Sequence, residues 1–270
     1  MNRLITAAVA LPILILSIWI PQLEPLFVVI TVVALTLGLY EFYLLAKRSG
    51  IDADRTTGMI FAAGIFTVFY FSTPTLELLP IVVVALIVTT LLAATLRRAA
   101  KLDKMLAASA ATVLGVLYVV MLGGFLIQLR TEFDDSLAAR LLTFFFLVLM
   151  GSDSAAYYTG RTFGRRKMAP HISPGKTWEG AAGGFIASLA AAAIAHFTFF
   201  PQLSLLAALP LAAAMNALGV LGDLTESALK RGAGAKDAAS ILPGHGGLLD
   251  RLDSLLFNAP LIYYFAKVYF

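Results

Sequence analysis

The sequence predicts an all-α, polytopic integral membrane protein of about nine transmembrane helices, with a cytosolic N-terminus and the C-terminus outside. Three observations lead there. Hydrophobic residues make up 60% of the chain and charged residues only 13%, about half the charge of an ordinary soluble domain. That leaves too little polar surface to coat a water-soluble particle. The apolar residues fall in runs near the ~20 residues that a helix needs to cross the hydrocarbon, too long and continuous for barrel strands. Lastly, 17 of the 20 Lys and Arg residues fall on one set of alternate loops, leaving Arg130, Arg140 and Lys267 for the other. So lopsided a division follows the positive-inside rule and fits an odd number of spans.

The spans are expected at 4–20, 26–46, 57–73, 78–96, 108–129, 138–158, 177–199, 204–225 and 251–269. The first follows Arg3 and reads as a retained helix, because no small-residue cleavage pattern follows Trp19-Ile20-Pro21. The second runs to Lys47 and Arg48, the third begins past Arg55, and the fourth stops at Arg97 and Arg98. Arg130 closes the fifth, and the sixth leads into a loop carrying Arg161, Arg165, Arg166 and Lys167. Trp178 opens the seventh as an interfacial aromatic, with Gly180 and Gly184 forming a small-residue face for close helix packing. The last two spans flank a glycine-rich basic loop.

Composition also excludes. With no cysteine the chain has no disulfide framework, thiolate zinc site or catalytic thiol. The net charge of +4 is explained by topology and does not call for nucleic acid.

The chain divides into two regions of different character. Residues 1–136 read as a scaffold of five helices, whose strongest polar exception is Glu41 beside Tyr40. A snorkelling or locally paired carboxylate is the expectation for it. Residues 137–270 hold four helices and two cytosolic loops, and their polar residues gather at one depth. Asp153, Tyr157 and Thr159 end the sixth span, Lys176, Thr177 and Glu179 open the seventh, Asn216 and Asp223 lie on the eighth, and Asp250, Asp253 and Asn258 open the ninth. Several carboxylates near a membrane need a compensating partner. Asp223, Ser227, Lys230 and Arg231 share one helical stripe, and Asp250, Asp253 and Ser254 share another. Magnesium suits such faces, since it takes a couple of carboxylates, keeps waters and binds substrate phosphates. An Asp–Arg network through Arg231 and Arg251 is the metal-free alternative.

The loop from Arg231 through Gly247 combines glycines with Lys236, so that backbone N–H groups and a cation can meet anionic oxygens. His245 within it is a candidate acid/base group, or a structural turn residue. The earlier loop ends in Gly175-Lys176-Thr177, but a P-loop requires glycine at position 170, which is proline. What remains there is a basic surface at headgroup height.

The run from Ser227 to Asp253, SALKRGAGAKDAASILPGHGGLLDRLD, closely resembles the signature of CDP-diacylglycerol synthases, also called phosphatidate cytidylyltransferases. Asp153-Ser154-Ala155-Ala156-Tyr157 together with Ser173-Pro174-Gly175-Lys176-Thr177-Trp178-Glu179-Gly180 resembles that family's second motif. Gly175, where lysine is frequent, and Ala238-Ala239, where small polar residues or glycine are common, depart from it. The resemblance implies a magnesium-dependent nucleotidyltransferase that converts CTP and phosphatidic acid to CDP-diacylglycerol and pyrophosphate in the cell (inner) membrane, with its site facing the cytosol. Asp223 and Asp250 are then the expected metal ligands, with Asp253 and Asp153 beside them and a second cation allowed. Lys176, Lys230, Arg231, Lys236 and Arg251 are expected to neutralise phosphates, and His245 joins them as a catalytic candidate. Ser173, Thr177, Ser227, Arg165, Arg166, Gly244, Gly246 and Gly247 are expected to contact substrate. Membrane lipids are partners, and small-residue faces permit a homodimer. A CTP-dependent lipid-alcohol (polyprenol) kinase is the rival enzyme. An ion-coupled transporter is the rival from another class, although its carboxylates would sit at the midplane between repeated halves.

Overall fold

The computed structural model describes residues 2–71, 75–96, 102–235 and 247–270, and side chains from residue 11 onward except those of 75–77 and 102. Lys236, Gly244, His245, Gly246 and the Ala238-Ala239 departure lie outside the described residues, as do Arg97, Arg98 and Lys101.

The chain is built of helices: α1 (Asn2–Trp19), α2 (Glu24–Arg48), α3 (Arg55–Phe71), α4 (Thr75–Leu96), α5 (Leu102–Gly115), α6 (Leu122–Thr131), α7 (Asp135–Phe163), α8 (Trp178–Phe197), α9 (Leu205–Gly232) and α10 (Leu249–Tyr269). A π-helical segment, Val116–Met121, joins α5 to α6 in one rod, so the stretch expected as a plain helix over 108–129 carries an insertion. Six of these rods, among the described residues, are long and apolar enough to cross a membrane: Pro21–Arg48, Leu78–Leu96, Asp103–Thr131, Asp135–Phe163, Trp178–Phe197 and Leu205–Gly232. The protein is therefore all-α and polytopic, with helices also standing where the first, third and ninth spans are expected.

Local chemistry sets several boundaries. α2 carries Glu24 in its first turn and Lys47 and Arg48 in its last, matching the helix dipole at both ends. It stops at Gly50, whose φ of 77° suits only glycine. The Asp134 carboxylate accepts from the Leu137 N–H to start α7, and the Thr177 hydroxyl accepts from Gly180 N–H to start α8. Between α7 and α8 the chain forms a feature not expected from sequence, a short antiparallel ribbon of β1 (Lys167–Ala169) and β2 (Ser173–Thr177).

The core lies where α2, the π segment, α6, α7 and α10 meet, filled by Leu35, Leu39, Val119, Ile127, Phe144, Leu256 and Ile262. α7 and α8 pack closely against each other. A Cβ on Gly180 would stand 2.8 Å from the Ala156 carbonyl oxygen, and one on Gly184 3.0 Å from that of Ser152. The small-residue face expected on this helix is thus the one that meets α7. At the opposite end of the bundle from Asp223, the buried Arg130 guanidinium lies 3.0 Å from Asp135 and 3.7 Å from Glu24.

Candidate active site

Four elements bring charge to one end of the bundle: the last turns of α7, the β1–β2 ribbon, the last turns of α9 and the first turns of α10. Lys176, on β2, reaches across to α9, where its Nζ lies 2.7 Å from Asp223 Oδ2. Ser227, one turn further along α9, donates to Asp223 Oδ1 at 3.3 Å. Asp153 of α7 and Asp253 of α10 both lie within Coulombic range of Asp223 and Lys176, and the Ser254 hydroxyl pairs with Asp153. Three carboxylates therefore share one lysine. The close approach of α9 to α10 here depends on Gly222, because a Cβ at that position would overlap the Asp253 carbonyl oxygen.

A second cluster lies beside the first. Lys230 Nζ lies 2.5 Å from Glu226 Oε2 and 2.6 Å from Asp250 Oδ1, while Asp250 Oδ2 accepts from Gly247 N–H at 2.9 Å. Asp223 and Asp250, paired in the sequence reading, thus belong to different lysines. Glu226 was not among the expected site residues, although it stands at i+3 from Asp223 and i−4 from Lys230. That spacing was its available signal. Its side chain is 1% exposed, and a carboxylate so buried requires a charged or hydrogen-bonded neighbour.

Other expected site residues have local duties. The Thr177 hydroxyl is taken by the α8 cap, as above, so its contact in this structure is backbone. Arg231 donates from Nε to the Ile172 carbonyl and from Nη1 to that of Ala235, tying the ribbon turn to the end of α9. The Glu179 carboxylate accepts from the backbone N–H groups of Arg165 and Arg166, which leaves both arginine side chains exposed at the surface. Ser173 pairs with Ala169 at the turn end of the ribbon. Arg251 is exposed on the first turn of α10.

Glu41 corrects an expectation. It neither snorkels nor pairs locally. Its side chain is fully buried, with Oε1 accepting from Leu248 N–H at 2.9 Å and Oε2 from Leu249 N–H at 2.7 Å. These are orphan donors at the start of α10, where the N-cap Leu248 offers no side-chain acceptor of its own. The supposed scaffold therefore reaches into the polar end of the other half.

The residues present suit magnesium. The donors are hard carboxylate oxygens, in excess over lysine, although among the described residues no group of three or more Asp, Glu or His side chains is placed to hold a metal ion by itself. Magnesium does not ask for one, since it is held by one or two carboxylates, waters and substrate phosphates.

The sequence matches the Cytidylyltransferase family over residues 1–269. The chain belongs to that family. Among curated relatives, the phosphatidate cytidylyltransferase of Haemophilus influenzae is 47% identical over 129 residues, 46% of this chain and 45% of that protein. That of Bacillus subtilis is 38% identical over 156 residues, 58% of this chain and 57% of that protein. For these two, the match spans about half the length of the relative. The phosphatidate cytidylyltransferase of Thermotoga maritima is 31% identical over 281 aligned positions, covering 99% of this chain and 96% of that protein.

Proposed function

We propose that this member of the cytidylyltransferase family is a phosphatidate cytidylyltransferase, converting CTP and phosphatidic acid to CDP-diacylglycerol and pyrophosphate. The observation that carries the reading is the Lys176–Asp223 pair with Asp153 and Asp253 around it, at one end of an apolar bundle. A soluble triphosphate and a membrane-bound phosphate have to meet at such an interface. Family membership and the names of the three relatives support the same reaction.

An oxygen of the lipid phosphate attacks the α-phosphorus of CTP, and the bond from that phosphorus to the bridging oxygen breaks to release pyrophosphate. The nucleophile is already anionic, so positioning and charge neutralisation supply most of the rate. One or two of Asp223, Asp253 and Asp153 would hold magnesium, which would supply charge neutralisation to the phosphates. Asp250 would be an alternative ligand, through lone pairs left over from Lys230 and Gly247. Lys176, Lys230, Arg231 and Arg251, with Lys236, neutralise the nucleotide and lipid phosphates. Backbone N–H groups of Gly244, Gly246 and Gly247 are assigned to the phosphates and His245 to acid/base work on the sequence motif, and Ser173 and Ser227 orient the groups they touch. Arg165 and Arg166 hold the anionic membrane surface.

The lysine and arginine distribution supports nine spans in the inner membrane, with the charged end of the bundle in the cytosol. Purified protein given phosphatidic acid, magnesium and CTP labelled at the α- or γ-phosphate tests the reaction. α-Label in lipid and γ-label in pyrophosphate support it. With a polyprenol in place of phosphatidic acid, γ-label in lipid with release of CDP would instead identify a kinase. Because the chain has no cysteine, single cysteines placed in each loop report sidedness by labelling of sealed vesicles.

A further inference from the structure

Three helical positions on α2 lie along α10. Leu35 and Leu256 both face Gly123, Gly38 faces Leu252 and Leu249, and Glu41 reaches the N-H groups of Leu248 and Leu249. A Cβ on Gly38 would stand 3.0 Å from Leu252 Cδ1, so a glycine one turn before Glu41 sets how closely the two helices approach. With that approach, the two carboxylate oxygens engage two successive N–H groups, one each.

We infer that Glu41 is a positioning residue for the Asp250–Lys230 part of the site, acting as a cap supplied in trans by α2 to the first turn of α10. The chain of contacts is short. Glu41 holds Leu248 and Leu249; the adjoining Gly247 N–H donates to Asp250 Oδ2; Asp250 Oδ1 holds Lys230. α10 has no side-chain cap of its own, so an acceptor must come from elsewhere to satisfy those donors. The negative charge also suits the positive end of the α10 dipole. Among the described residues Glu41 touches no expected substrate group. It fixes where Gly247 and Asp250 stand, and through them where Lys230 points. The inference rests on the cytidylyltransferase reading for the identity of the reaction it affects.

Glu41→Gln keeps the shape and removes the charge and one acceptor. Leu248→Pro removes one donor from the other side of the same contact, at a residue whose φ of −72° already suits proline. Each variant is expected to lower kcat by about ten- to a hundredfold, the scale of a small misplacement of reacting groups. The KM for phosphatidate should stay within about threefold, because the lipid-facing basic residues are untouched. The double variant should be no worse than the poorer single one, since both act on one contact. Wild-type kcat per folded protein in either variant, or losses that multiply in the double, would overturn the inference. Hydrogen exchange on the unaltered protein gives a test independent of whether the variants fold. The amides of Leu248 and Leu249 should be protected as strongly as those in the middle of α10, and rapid exchange there refutes the cap. If the unaltered protein makes no CDP-diacylglycerol, the reaction assignment fails while the protection of those amides still decides the cap.

Discussion

Lys176 Nζ stands 2.7 Å from Asp223 Oδ2, joining the β ribbon to α9 across the end of the bundle. The pair matters because Lys176 is the nearby cation shared by Asp223, Asp153 and Asp253. Among the described residues one ammonium does not balance three ionised carboxylates, which supports the proposal that the cluster takes further positive charge.

Asp223→Asn removes one of those carboxylates at constant shape. It is expected to abolish turnover while leaving the purified protein's helical content and melting behaviour close to wild type. Lys104→Ala is the matching control, since Lys104 is exposed and, among the described residues, reaches the Gly50 carbonyl at 3.4 Å. It should change activity little. Near-normal activity in the Asp223 variant would remove that residue from the site.

Glu226 and Asp250 share Lys230, and Glu226 is the more buried of the two carboxylates. Glu226→Leu should destabilise the protein, but by less than the about 3–5 kcal/mol lost when a buried ion loses its only partner, because Asp250 remains. Thermal unfolding in detergent, followed together with turnover, checks this. A melting temperature equal to wild type would show that Glu226 contributes nothing to the cluster.

Two glycines should behave oppositely. Gly222→Ala forces a methyl against the Asp253 carbonyl, where backbone has to shift, and overpacking of this kind costs about 1–3 kcal/mol. It should also separate Asp223 from Asp253 and lower kcat. Gly64→Ala on α3 meets nothing within 4 Å, and it should be neutral or stabilise by up to about 1 kcal/mol. Comparing the melting temperatures and rates of the two variants tests the pairing.

Arg165 and Arg166 offer their backbone N–H groups to Glu179 and their side chains to the surface. Replacing both by Ala leaves the backbone bonds in place. The apparent KM for phosphatidate in anionic micelles should rise by about threefold or more, and its dependence on ionic strength should flatten. Unchanged KM at low salt would show that these side chains do not serve the lipid surface.

Much of the architecture was legible in the sequence because hydrophobic run length and loop charge are local properties. The α2, α7, α8 and α9 spans could be placed from them, and Gly180 and Gly184 could be read as a packing face. The grouping of Asp153, Asp223 and Asp253 could also be anticipated, since helical periodicity puts each at the same end of its helix. The β ribbon was not legible, because its pairing runs through a proline- and glycine-containing stretch with no alternating pattern. Glu226 was missed beside better-known motif residues despite its i, i+4 relation to Lys230.

By itself the sequence determined the membrane class, the family resemblance and which residue types crowd the charged end. Only the tertiary structure decided which lysine belongs to which carboxylate, and that Glu41 closes the start of α10. Local periodicity tells a side chain which face of its own helix it occupies. It carries no record of which neighbouring helix will lie against that face, and a contact between residues 41 and 249 exists only once α2 and α10 have packed.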